Sequence, residues 1–95
     1  MRRAAAALLV ASGLAFAQPA EVDVNTASQA QLESLRGIGV ALSDRLLEER
    51  SRRPYTDWND LAARVPGVGP KLAERLSAQG LRVAGRPYGA ANAAR

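Results

Sequence analysis

Two glycine pairs carry the clearest chemical signal in the chain: Gly37-Ile38-Gly39 and Gly67-Val68-Gly69, thirty residues apart. Each pair brackets one apolar residue and is followed by a run with helical periodicity. Glycine accepts positive φ and has no Cβ, so such a turn lets another group approach the backbone closely. The first N–H groups of the following helix have no partner within it and carry the positive end of the macrodipole. Together these features suit an anion, and a phosphate oxygen fits best. The candidate contacts are Gly37, Ile38, Gly39, Val40 and Ala41, with Arg45 behind them, and Gly67, Val68, Gly69, Lys71 and Arg75. Lys71 lies two residues past Gly69 and Arg75 one helical turn beyond it, within reach of a phosphate held by the turn. Pro70 lacks an N–H, so the second turn has one donor fewer and Lys71 compensates. Ile38 and Val68 are expected to tuck inward and pin the turns. Contacts of this kind read no bases, so binding is expected to ignore sequence and to weaken as salt rises.

The remaining composition excludes most other chemistry. The 95 residues include no His and no Cys, which removes disulfides, the usual zinc ligands, His bases and Cys nucleophiles. No enzyme and no small-molecule substrate is expected. Asp44, Glu48 and Glu49 read as a solvated charged face, with Glu48 and Arg52 paired at i,i+4, and not as a metal cluster. Arg50, Arg52 and Arg53 form the densest basic run, which serves as a further phosphate contact or as a solvated loop. Tyr55 and Trp58 could stack on bases but read as core residues beside a capped helix.

The elements that must position the glycines follow from the repeat. Leu35 matches Val65, Leu42 matches Leu72, Asp44 matches Glu74, Arg45 matches Arg75, and Leu46 matches Leu76. Two copies are too few for a solenoid, so they should pack on each other as one pseudo-symmetric unit. Before the first turn, Thr26-Ala27-Ser28-Gln29 offers a capping box to a short helix carrying Leu32 and Leu35. Before the second, Thr56 can cap a helix with Trp58, Leu61, Ala62 and Val65, and with Asp57 and Asp60 in its first turn. A longer amphipathic helix follows each turn: one ends before Pro54, the other at Gly80 as a C-cap glycine. Leu81 and Val83 should pack back on the domain.

The ends read differently. Met1-Arg2-Arg3, the apolar stretch 4–15 and Ala15-Phe16-Ala17 before Gln18 form a secretory signal peptide, residues 1–17, with an uncleaved N-terminal anchor as the alternative. The apolar run is shorter than the ~20 residues of a membrane span, so no stable membrane anchor is expected. Residues 18–21 are then a short linker, 22–83 the folded domain and 84–95 a disordered tail rich in Gly, Ala, Asn and Pro. Of the 13 Lys and Arg, Arg2 and Arg3 leave with the signal, so 11 face 9 acidic residues and the net charge is +2. Binding to a polyanion must therefore come from the arrangement of charge on one face.

Val22-Asp23-Val24-Asn25-Thr26-Ala27-Ser28, Leu32, Leu35, Gly37-Ile38-Gly39, Arg50, Tyr55, Asp60-Leu61, Val65 and Gly67-Val68-Gly69 together resemble the ComEA family. The resemblance implies an all-α fold: a tandem helix-hairpin-helix with a pseudo-two-fold, a SAM-like small helical domain. It implies an exported, periplasmic receptor that binds double-stranded DNA without sequence preference and works with the DNA-uptake machinery in natural transformation. It also implies that a hairpin can hold a monovalent cation by its turn carbonyls, and no other cofactor. Pro54 stands where members usually carry Gly, which predicts a more rigid link between the units. The long anchor and linker of some members are missing, which favours a soluble form over a tethered one. Two other readings compete with it: a protein-interaction module on the same scaffold, and an accessory domain of a nuclease or repair enzyme. The first is favoured if the faces bearing Gly39 and Lys71 are apolar or covered. The second needs catalytic residues absent here.

Overall fold

A computed structural model describes residues 20–89; the signal peptide read at residues 1–17 and the last six residues lie outside that range. Four helices and two very short strands follow in the order β1 (Val22–Asp23), α1 (Gln29–Glu33), α2 (Val40–Arg52), α3 (Trp58–Arg64), α4 (Pro70–Ala78) and β2 (Leu81–Arg82). The fold is the expected all-α tandem arrangement, α1 and α2 forming one helical hairpin and α3 and α4 the other.

Burial repeats as the sequence does. Leu35 and Val65, Ile38 and Val68, and Leu46 and Leu76 are all buried, while Leu42 and Leu72 are half-buried against the same core. Apolar groups from both repeats thus share a single core, because neither short helix pair could bury its apolar stripe alone. Trp58, Tyr55, Leu61, Val24, Leu32, Leu81 and Val83 join it. Tyr55 and Trp58 are therefore core residues and offer no face to a base. Burial pushes the Tyr55 phenol up to about 12, against partial relief from the cationic Arg64, and keeps it as a donor to the Leu46 carbonyl at 2.8 Å.

The caps sit later than the sequence reading placed them. Ser28, not Thr26, caps α1: its hydroxyl accepts from the Gln31 N–H, and the Gln31 side chain accepts from the Ser28 N–H. The reason lies upstream. The Asp23 carbonyl accepts from the N–H groups of Thr26 and Ala27 and its carboxylate from that of Asn25, which holds residues 23–27 in a turn. Asp57, not Thr56, caps α3 by accepting from the Asp60 N–H, and the Asp60 carboxylate accepts from the Thr56 N–H. The predicted C-termini hold: α2 stops at Arg53, in extended conformation before Pro54, and Gly80 follows α4 with φ +113° and donates to Ser77 O.

The strands were not foreseen. Val22 and Asp23 pair in parallel with Leu81 and Arg82, flanked by hydrogen bonds from Val22 N to Gly80 O and from Val24 N to Arg82 O. The two ends of the domain are thereby tied together. Two side-chain clamps add to this. Asn25 donates to Tyr55 O and accepts from Tyr55 N, fastening the link between the units to the entry turn. Arg50 donates to the carbonyls of Val24 and Ala27.

Residues 84–89, expected as the start of a disordered tail, instead fold back. Ala84 and Gly85 take positive φ in a tight turn closed between Val83 and Arg86. Gly85 N donates to the Asp23 carboxylate, the Trp58 indole N–H to Arg86 O, and Tyr88 N to Ser77 Oγ. The Tyr88 ring meets Trp58 edge-on at 5.4 Å. A buried indole N–H requires an acceptor, and this segment supplies it.

Candidate nucleic-acid interface

The two hairpins have the same backbone. Gly37 and Gly67 take φ of +105° and +102°, a region closed to most L side chains, while Gly39 and Gly69 cap the following helices at φ −95° and −94°. The second glycine of each pair therefore does not use the positive φ that its residue type permits. Nor does the surrounding chain require a glycine there: a Cβ at Gly39 or Gly69 would meet nothing within 4 Å. What the missing Cβ leaves open is space outside the molecule, directly over the start of each long helix. Ile38 and Val68 point inward as expected, each 4% exposed.

The helix starts separate into two classes. The short helices α1 and α3 have side-chain caps, whereas no side chain caps α2 or α4. The Val40 and Ala41 N–H groups, and that of Lys71 after Pro70, thus lie at open helix starts beside an exposed glycine. Val40 itself is a large apolar residue left 64% exposed.

Cations separate in the same way. Arg50 is spent on two carbonyls, Arg52 pairs with Glu48 and Glu49, and Arg53 lies 3.7 Å from Asp60. Sequence reasoning missed Arg64, which bonds Glu49, Arg53 and Pro54 carbonyls, pairs with Glu49 and Asp60, and lies 4.4 Å over the Tyr55 ring. Burial works to raise the Asp60 pKa, but the Thr56 N–H and the Arg64 guanidinium outweigh it and hold the carboxyl below its usual value. These perturbed groups belong to the scaffold. Arg45, Lys71 and Arg75, by contrast, are exposed and make no ion pair among the described residues. The basic run at 50–53 is therefore occupied, while the cations near the hairpins are free.

The exposed glycine turns, two open helix starts and nearby unpaired cations make one pseudo-symmetric arrangement over residues 35–80. A family model described as Helix-hairpin-helix motif matches residues 18–79. The chain belongs to the helix-hairpin-helix family. Helix-hairpin-helix motifs generally bind nucleic acid, and the match covers both hairpins of this chain. No curated protein and no solved structure matches. The hairpin carbonyls of Leu35 and Val65 each accept one N–H, from Ile38 and Val68. No cluster of three or more acidic or other metal-ligating side chains exists among the described residues.

Proposed function

We propose that this helix-hairpin-helix protein is an exported, sequence-independent double-stranded DNA-binding protein of the ComEA type, acting in DNA uptake during natural transformation. The observation that carries the DNA-binding reading is the contrast in capping. Helices α1 and α3 start under a Ser or Asp side chain, while α2 and α4 start under an exposed glycine with no side-chain cap. A glycine at the N-cap forgoes about a few tenths of a kcal/mol against a Ser or Asp side-chain cap. Among the described residues a helix lacks a side-chain cap only where a phosphate oxygen could take the place of that cap, approaching through the gap left by Gly39 or Gly69. The roles then follow: Gly37 and Gly67 shape the turns, Ile38 and Val68 anchor them, the first-turn N–H groups grip phosphate, and Lys71 adds a point charge at the hairpin with fewer donors.

Export rests on the signal-peptide pattern of residues 1–17, and uptake rests on resemblance across the Val22–Ser28 motif and both hairpins. A periplasmic location and hand-over to uptake machinery complete the proposal. The protein-interaction alternative loses ground because the faces bearing Gly39 and Lys71 are exposed, with Val40 the one large hydrophobic left open among the described residues.

Fluorescence anisotropy with unrelated duplexes across a salt series tests the reading. Gly39→Ala and Gly69→Ala are the decisive variants: each should cost roughly 1 kcal/mol, because alanine is a much poorer N-cap than glycine, and leave the chain folded by circular dichroism, while weakening DNA binding for every sequence alike. Unequal losses among duplexes would show base readout, and unchanged affinity in both variants would remove the hairpins from the interface.

A further inference from the structure

The pseudo-two-fold sets each hairpin against the second helix of the other repeat, and an open groove lies at each junction. The first groove, about 320 Å³, runs between the first hairpin and α4 and is lined by Arg36, Gly37, Arg75, Ala78 and Gln79. The second, about 280 Å³, runs between α2 and the second hairpin and is lined by Ala41, Leu42, Arg45 and Pro66. The thirty-residue offset equates Arg75 with Arg45 and Arg36 with Pro66. The grooves are equivalent in position, but the first carries two guanidinium groups and the second one.

The first groove is also held in shape by Gln79. Its side-chain oxygen accepts from Arg36 N at 2.8 Å and its Nε2 donates to Arg36 O at 2.9 Å, while the same Nε2 lies 3.3 Å from Arg75 O. One amide therefore fastens the backbones of both arginines to each other. Both side chains are exposed, and neither has an ion-pair partner among the described residues. Two like charges fixed beside one groove repel, so the pair gives the isolated chain nothing; an anion between them reverses the sign. A guanidinium presents a planar fork of donors matched to phosphate geometry, and two forks can share one phosphate's oxygens.

We infer that this groove is a third backbone-phosphate site, in which Arg36 and Arg75 together grip one phosphate of the duplex held by the hairpins. The inference rests on the DNA-binding reading above and adds to it an asymmetric footprint: the duplex is anchored harder on the side of the first hairpin. Arg75, expected from the sequence to serve the second hairpin beside Lys71, serves the first across the domain.

The full chain, with Arg36→Ala, Arg75→Ala, the double variant and Pro66→Arg, is titrated against one duplex at several salt concentrations. One phosphate contact contributes about 0.9 to the slope of log affinity on log salt, which is about eightfold in affinity near 0.1 M salt. Each single variant should lose affinity by about that factor and flatten the slope, and the double should lose little more than either. Pro66→Arg, which builds the missing cation beside Arg45, should steepen the slope. Unchanged affinity and slope in Arg36→Ala, while the unsubstituted chain binds, would overturn the site. Losses that simply multiply in the double variant would place the two arginines on separate phosphates and overturn it equally. Absence of duplex binding by the unsubstituted chain would instead strike the hairpin reading itself and take this site down with it. Circular dichroism of each variant separates loss of binding from loss of fold.

Discussion

The two hairpins share a backbone and differ in almost everything around it. At the first, Gly37 lies under α4, where an added Cβ would come within 2.8 Å of a Leu72 methyl, and the preceding Arg36 is clamped on both sides of its peptide by Gln79. At the second, a Cβ on Gly67 would meet nothing within 4 Å, and Pro66 has no N–H for any such clamp to hold. The chemistry diverges along the same line. The first hairpin keeps N–H groups at Val40 and Ala41 and no cation at position 41; the second gives one donor up to Pro70, whose fixed φ suits the first helical position, and carries Lys71 next to it. The duplication thus preserved the geometry that exposes a helix start while one copy came to rely on a locked frame and backbone donors, and the other on a flexible side-chain charge.

The comparison breaks most sharply at the positive-φ glycines. Gly67→Ala should cost about 1–2 kcal/mol, the strain of an L side chain in the left-handed region. Gly37→Ala should cost more by a further ~0.5–1.5 kcal/mol, because Leu72 must leave its rotamer to make room. Urea unfolding of both variants measures the gap, and equal losses would show that the first hairpin is no more tightly packed than the second. Gln79→Ala should follow at about 1–2 kcal/mol for two lost hydrogen bonds to the Arg36 peptide. Amide exchange should quicken at Ile38 and stay unchanged at Val68; parallel acceleration at both would mean that Gln79 supports the whole domain and not the first hairpin.

Exchanging the cations sharpens the functional half. Lys71→Ala should weaken duplex binding about eightfold near 0.1 M salt, and Ala41→Lys should strengthen it by a similar factor, each moving the salt slope by about 0.9. A loss at 71 without a gain at 41 would show that the first hairpin has no place for a side-chain charge.

The smallest effect concerns acid. The first unit caps α1 with the neutral Ser28 and Gln31, and the second caps α3 with Asp57 and braces it with Asp60. Because native contacts hold the Asp60 pKa below the ordinary 3.8, its contribution is fully present above that value and is lost as pH falls through the lowered pKa. Helix α3 should therefore fray before α1 as pH is lowered below about 4. Amide exchange rates that rise together in the two helices would contradict this.

Much of this was legible because it is local. The glycine pairs, the stops at Pro54 and Gly80 and the period of Leu35, Ile38, Leu42 and Leu46 act within a turn or two of chain, so residue type and spacing suffice to read them. The caps of α1 and α3 slipped by a residue or two because Thr26 and Thr56 are also capping types, though weaker ones than Ser28 and Asp57. Asp23, by drawing the next few N–H groups into a turn, decides where α1 begins. The fate of the chain after Val83 was misread for a different reason. Its composition resembles a tail, and only the buried Trp58 indole, needing an acceptor and a ring partner, shows why Arg86 and Tyr88 return to the domain.

By itself, then, the sequence determined a duplicated helical unit with two exposed turns able to meet an anion, since those properties reside in backbone freedom and short-range periodicity. Only the tertiary structure decided which cations are available to use them. Arg52 and Arg64 each have an acid at i,i+4, but Arg50 looks as free along the chain as Arg36 and Arg75; the fold engages Arg50 with the Val24 and Ala27 carbonyls and Arg53 with Asp60, and leaves Arg36, Arg45 and Arg75 open. Whether a charge such as that of Arg50 is spent within the molecule depends on what packs beside it from distant parts of the chain, and spacing along a single helix carries no record of that.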